Sequence, residues 1–355
     1  MKKLIVVFVL LSNFKFLSAQ KEKSALETFV DSTNWETFSG NVLIAKKGSV
    51  LYRKSFGFTG VDKKYPIKQS SKFRLASITK TFIAVLVLQM VDEGKLKLSD
   101  TFGRHLPWYS GEAGKKTTIE NLLSFSSGIS NCEGDSGMKV YQNELKPREF
   151  IERNCSGRLQ FEPGAAFNYE NGSFIILGEI LETLSGKNLK ELLQTKIFEP
   201  AGMKNSGFLS YGEKEIPFVA SYLIDDSTRI EIPEPSFFLS NYGASGAMWS
   251  TTEDMFQFDL ALFSGKLITD ASMKLLLKPH PELYSVSLSL WVYQQEIAGK
   301  NYTILNRQGS IQGSNTLWMH VLESDVSIIL LSNTNGMSTN LLGNSLLNAV
   351  LKETH

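Results

Sequence analysis

The sequence predicts an α+β fold, with a sheet drawn from both ends of the chain and a helical part inserted between them. Three observations predict it. Short β-rich runs stand near the N-terminus and again beyond Gly243. Residues from about 92 to 240 are helix-rich with long irregular connections. One helix, opened by Ser77, is apolar nearly all round, the mark of a helix buried in the middle of a domain.

The elements follow in order. Ala25, Leu26, Phe29 and Val30 fall at helical spacing, and Asn34 to Gly40 ends that helix. Val42 to Ala45, a Lys47-Gly48 turn and Val50 to Phe56 form a β-hairpin. Ser77 to Val91 is the buried helix, carrying Ile78, Phe82, Val85, Leu86 and Met90. Gly178 to Leu193 is expected as one amphipathic helix. Leu288 to Gln294, Tyr302 to Arg307, Thr316 to Leu322 and Val326 to Ser332 are strands, the last a central one by its density of Ile and Leu. Leu341 to Leu351 closes the chain as a helix. The α/β part then covers about residues 20–75 and 241–355, and the helical lobe about 76–240.

At 355 residues and 42% hydrophobic, the chain has ordinary globular composition. Lys plus Arg number 37 and Asp plus Glu 36, so no charge footprint for nucleic acid or an anionic membrane exists. Residues 1–19 read as a signal peptide: Lys2 and Lys3, an apolar run from Leu4 to Leu11, and Leu17-Ser18-Ala19 before the cut. Eight apolar residues are too few to span about 30 Å of hydrocarbon. Cleavage removes three lysines and moves the net charge from +1 to −2. The mature protein is therefore expected to be exported, periplasmic or secreted, without stable membrane insertion.

An oxidising compartment bears on the cysteines. Cys132 and Cys155 could close one disulfide, worth about 3 kcal/mol on the chain-entropy model, or stay as two buried thiols. Neither has a CxxC partner, and the four histidines lack ligand spacing, so no metal site and no cofactor are expected.

Ser77-Ile78-Thr79-Lys80 is the centre of the chemistry. With Ser77 at the start of the buried helix, Lys80 lies one turn on, over the same face. Desolvation there favours the neutral amine, which can take a proton from the Ser77 hydroxyl. The tetrad alone is weak, since Ser-x-x-Lys recurs at Ser12, Ser18 and Ser136. A serine N-cap with a snorkelling lysine would give the same letters. A second constellation, Phe167-Asn168-Tyr169-Glu170-Asn171, puts a phenol and an amide two residues apart on a loop between helices. Tyr141-Gln142-Asn143 repeats that pattern, and a packed loop tyrosine is the plain alternative. A third, Arg307-Gln308-Gly309-Ser310, ends a strand. Its Gly lets another backbone approach closely, and its Arg has a fork suited to a carboxylate. Alone, it could equally be an exposed edge-strand charge.

Together these segments resemble the class C β-lactamase-related serine hydrolases, a group of β-lactamases, D-Ala-D-Ala carboxypeptidases, D-amino-acid peptidases and esterases. Phe73 to Phe82 is similar to the nucleophile segment, Pro163 to Gly178 to the second motif, and the strand ending at Arg307-Gln308-Gly309, followed by Gly313, to the third. The likeness covers about residues 25–350. It implies a β-lactamase/transpeptidase-like fold: an antiparallel sheet flanked by helices, an all-helical lobe, and the site between them. It implies Ser77 as acylated nucleophile, Lys80 as its base and Tyr169 as the group assisting proton transfer to the leaving group. Asn171 would position the acyl amide, and the backbone N–H groups of Ser77 and Ser310 would form the oxyanion hole.

The chain departs from the group at two places. Arg307 stands where Lys, His or Trp is usual, and is expected to hold a substrate carboxylate. Phe125 stands where His is common, and is expected to affect packing more than chemistry. The function expected is hydrolysis of a D-amino-acid-containing peptide or related amide. An esterase on small acyl esters is the near alternative, and a binding protein that lost its chemistry the distant one. A Ser-His-Asp hydrolase is disfavoured: no Gly-x-Ser-x-Gly elbow occurs, and His320 reads as a half-buried strand residue. Oligomeric state is not legible.

Overall fold

The computed structural model describes residues 24–215 and 217–352. The signal peptide expected over residues 1–19 lies outside the described residues. The strands of the main sheet are β1 (Gly40–Lys46), β2 (Ser49–Phe56), β3 (Trp291–Ile297), β4 (Lys300–Ile311), β5 (Ser314–Val321) and β6 (Val326–Ser332). The helices that build the core and the site include α1 (Ala25–Ser32), α2 (Thr79–Asp92), α3 (Gly172–Ser185), α4 (Leu189–Leu193), α5 (Thr252–Phe263) and α6 (Thr339–Lys352).

The sheet runs β3-β4-β5-β6-β1-β2 and every pairing is antiparallel. β1 lies against β6 with Gly40 opposite Ser332 and Lys46 opposite Val326. The two chain ends thus meet in one sheet, as the sequence predicts. Strand period sorts the side chains. Val42, Ile44, Leu317, Met319, Ile328 and Leu330 face α1 and α6 on one side. Leu43, Ala45, Leu305, Trp318 and Ile329 point the other way, into the larger core that also holds α2 and α5. Helix α1 starts on a capping box, Ser24 with Glu27, and brings Leu26 and Val30 to the outer core.

Helix α2 runs through the centre of the larger core with eleven of its fourteen residues buried. Its hydrophobicity all round is explained by that position. Phe82 stacks on Phe258 of α5, with ring centroids 4.0 Å apart. The helix expected over Gly178–Leu193 is two helices. Gly186 ends α3 in the left-handed conformation, φ 69°, and Asn188 starts α4 by accepting from Glu191 N. Ser185-Gly186-Lys187-Asn188 is therefore a stop followed by a start, which the apolar periodicity hides.

His320 is wholly buried, against the half-burial expected of it. The reason is Asp259 on α5, whose carboxylate accepts from Trp318 Nε1 at 2.7 Å and Ser327 Oγ at 2.6 Å and lies 3.1 Å from His320 Nδ1. The ring of Phe263 stacks on the imidazole at 3.6 Å. This network joins α5 to the inner face of the sheet.

Candidate active site

The chain reaches Ser77 through a bend. Ala76 sits at φ +48°, and Ala76–Ile78 forms a 3₁₀ turn that feeds directly into α2. A non-glycine residue in that region is uncommon. The turn leaves Ser77 half-buried while Lys80, three residues on, is completely buried. Lys80 Nζ lies 3.1 Å from Ser77 Oγ, 2.8 Å from Asn171 Oδ1 and 2.8 Å from the carbonyl of Ser245, donating to each. Burial lowers the pKa of this amine; the nearby Tyr169 opposes that and Arg307 adds to it.

Tyr169 donates from its hydroxyl to Ser77 Oγ at 2.7 Å. Burial alone would raise its pKa, but the charges of Arg307 and then Lys80 outweigh burial and bring it down to about 8. Glu170 caps α3 instead of Asn171: its carboxylate accepts from Ser173 N through both oxygens, at 2.9 and 3.0 Å. That leaves the Asn171 amide free for the site. Burial raises the Glu170 carboxyl to about 7.

Arg307 is not where the sequence suggested. It is fully buried, with Nε donating to the Ser77 carbonyl at 2.8 Å and Nη2 donating to the Tyr169 hydroxyl at 2.8 Å. Its guanidinium carbon lies 5.5–5.7 Å from the ring centroids of Trp291, Tyr169 and Phe125. The expected grip on a substrate carboxylate is therefore corrected: three aromatic rings close the fork off and point it at the nucleophile's own segment. Phe125, itself at φ +56°, packs on Tyr169 with ring centroids 4.6 Å apart.

Gly309 brings β4 against the nucleophile. A side-chain carbon there would collide with Leu75 O and Thr316 Oγ1 and come within 3.0 Å of Ser77 N. Ser310 follows, exposed, on the same cleft wall. The cleft measures about 260 Å³, and Ser77, Tyr169, Asn171 and Ser310 all line it. The four residues come from a helix start, a loop and a strand edge, so only the fold could assemble them.

Cys132 and Cys155 are buried neighbours and unlinked, so of the two alternatives this structure holds the pair of buried thiols. The hydrogen bond with the Cys132 thiol, and then burial, pushes the Cys155 thiol well above its usual range, which keeps it protonated. Among the described residues no group of three or more His, Cys, Asp or Glu could hold a metal ion.

Three site residues escaped the sequence reading. Glu133 lines the cleft, and its Oε1 accepts from Asn171 Nδ2 at 3.0 Å and from the Tyr141 hydroxyl at 2.9 Å. Tyr141 also accepts from Asn171 Nδ2 at 3.1 Å, so the second Tyr-x-Asn pattern does reach the site, through its phenol. Ser245 contributes only a carbonyl, which no side-chain pattern announces.

The β-lactamase family model matches residues 29–350, and the chain belongs to that family of serine hydrolases. A penicillin-binding protein of Bacillus subtilis (strain 168) is 27% identical over 339 residues, covering 88% of this chain and 72% of the relative. Protein flp of Staphylococcus aureus (strain MW2) is 29% identical over 221 residues, 61% of this chain; the match spans only 43% of flp. The D-amino acid amidase of Ochrobactrum anthropi SV3, solved with L-phenylalanine amide, shares the fold with a TM-score of 0.80 and 20% identity, over 93% of this chain and 99% of that one. No helix among the described residues is long and apolar enough to cross a membrane.

Proposed function

We propose that this protein is an exported serine hydrolase that acts through an acyl-enzyme on Ser77, with an amide or peptide containing a D-amino acid as substrate. One observation carries the reading: Ser77 Oγ lies within hydrogen-bond reach of both Lys80 Nζ and the Tyr169 hydroxyl. A neutral Lys80 spends two hydrogens on Asn171 Oδ1 and Ser245 O and turns its lone pair to Ser77 Oγ. It takes the Ser77 proton as Oγ bonds to the substrate carbonyl carbon. The oxyanion meets the backbone N–H groups of Ser77 and Ser310. Tyr169 gives its proton to the leaving nitrogen as the C–N bond breaks, and the phenolate left behind takes the proton held on its neighbour Lys80 directly, Ser77 Oγ now being the ester oxygen. Water then attacks the acyl carbon and frees the acid.

The signal-like sequence of residues 1–19 and the likeness to penicillin-binding relatives support export. The D-amino acid amidase neighbour supports the substrate class. The burial of Arg307 favours a second reading, an esterase, because no fixed cation asks the substrate for a carboxylate. Intact-mass spectrometry with a fluorophosphonate tests the core of the proposal. One adduct on the wild type and none on Ser77→Ala is expected; labelling that survives Ser77→Ala would defeat it. Turnover of a D-amino acid amide against a p-nitrophenyl ester then separates the two substrate classes.

A further inference from the structure

The geometry points to a second binding site, an effector cavity walled by α3 that takes an organic ammonium ion with one apolar ring. It is separate from the catalytic cleft, with which it shares no lining residue. The cavity measures about 170 Å³ and lies between α3, the start of α4, the stretch Phe208–Tyr211 and the 3₁₀ segment Leu239–Ser245. Ile175, Leu189, Phe208, Leu209 and Ala244 give it apolar walls. Gly243, at φ +44°, leaves open space where a side chain would stand. An apolar cavity of about 150 Å³ accepts one benzene ring, so the size sets the occupant's body at one ring and a short arm.

Two carboxyls set the head group. Glu179 and Glu182 stand one turn apart on α3, and both line the cavity. Glu182 Oε1 accepts from Leu189 N at 2.6 Å, whereas Glu179 makes no hydrogen bond or ion pair among the described residues. Burial, and then the charge of Glu182, raises the Glu179 carboxyl to about 7, opposed only by Arg148. That arginine is engaged elsewhere: its Nε donates to Glu152 Oε1 at 2.9 Å and its guanidinium lies 4.7 Å over the Trp108 ring. Lys146 sits at the Tyr211 ring, Nζ 5.9 Å from its centroid, and Lys190 pairs with Glu213. An ammonium entering between the two carboxyls relieves their repulsion and gains a charge-assisted hydrogen bond.

The cavity walls also hold the catalytic lysine, a link that rests on the acyl-enzyme reading above. Lys80 donates to Asn171 Oδ1 and Ser245 O. Asn171 immediately precedes α3, one turn before Ile175, and Ser245 follows Ala244. Gly178 lets the two walls touch, since a side-chain carbon there would come within 2.8 Å of Ala244 Cβ. An occupant braced against Ile175 and Ala244 steadies both walls, and with them both acceptors on the lysine that activates Ser77.

Calorimetry with 2-phenylethylammonium, 2-phenylethanol and 3-phenylpropionate, on the wild type and on Glu179→Gln, tests the site. The rate of Ser77 labelling by a fluorophosphonate tests the coupling. The ammonium should bind at one equivalent, about tenfold or more tighter than the alcohol, the scale of one hydrogen bond to a charged group. The anion should not bind, and E179Q should bring the ammonium down to the level of the alcohol. Protein already labelled at Ser77 should still bind the ammonium. Saturating ammonium should speed labelling of the wild type by about fivefold or more, and leave that of E179Q unchanged. No binding, no preference for the ammonium over the alcohol, or equal binding by E179Q overturns the site. Binding lost on labelled protein puts the ligand in the catalytic cleft and overturns it too. Binding with an unchanged labelling rate overturns the effector role. Binding as expected by a protein that never labels at Ser77 upholds the cavity and defeats the acyl-enzyme reading instead.

Discussion

Arg307 donates to the hydroxyl of Tyr169 at 2.8 Å, and that hydroxyl donates onward to Ser77 Oγ at 2.7 Å. The cation is thus part of how the phenol is tuned, and its charge is what holds the phenol down to about 8 against burial. A phenol that must give its proton to the leaving group loses function as pH rises through that value. kcat/KM should fall on the alkaline side near pH 8. Arg307→Met removes the cation, raises the Tyr169 pKa and should carry the alkaline limb upward, while Arg307→Lys should leave it nearer its place. A pH–rate profile with a coinciding limb in all three proteins would contradict this.

The three polar side chains at the nucleophile should differ in how they fail. Ser77→Ala should abolish turnover and labelling together. Tyr169→Phe should lower kcat by about a hundred- to ten-thousand-fold, the range of a lost general acid. Lys80→Met should lose labelling as well as turnover, since the hydroxyl then has no base. Stopped assays with a fluorophosphonate separate the acylation step from the rest.

Gly309→Ala tests the close approach of β4 to the nucleophile. The added methyl must displace Leu75 O, Thr316 Oγ1 or the Ser77 backbone. Overpacking of this kind costs about 1–3 kcal/mol. The midpoint in urea should drop accordingly, and the labelling rate of the folded protein should drop more than that of a control substitution at exposed Gln308.

Glu170 gives a pH signature in stability rather than in rate. Burial raises its carboxyl to about 7, against 4.5 in the unfolded chain. Below pH 4.5 it is protonated in both states and contributes no pH dependence. From 4.5 up to about 7 the unfolded chain ionises first, so stability declines with rising pH, by up to on the order of 3 kcal/mol. Glu170→Gln should flatten that decline. Thermal melts of both proteins from pH 4 to 8 would show it; parallel curves would refute it.

Asp259 predicts a loss of stability remote from the cleft. Asp259→Ala strands the Trp318 indole N–H, the Ser327 hydroxyl and the His320 ring at once. The expected cost is about 3–5 kcal/mol. Folded variant recovered at low temperature should still label at Ser77 at close to the wild-type rate, because the network does not touch the site.

The sequence by itself determined the main strands, the buried helix and the names of the residues that meet at Ser77. Alternation and β-branched density marked the strands, with Val326–Ser332 placed to the residue. Full-round hydrophobicity marked α2, and three motifs named Ser77, Lys80, Tyr169 and Asn171, because their letters carry the reactive groups. What only tertiary structure decided is direction and company. Arg307 looks like a free cation in the sequence, yet three rings and two hydrogen bonds turn it toward Tyr169. Glu133 belongs to no motif, since its meaning depends on Asn171 and Tyr141, 38 and 8 residues away along the chain. Periodicity reports which face of an element is buried; it carries no record of which distant side chain a polar group will meet there. That choice is made when sheet and helices pack on each other, and the site forms where β4 meets the start of α2 and the loop before α3.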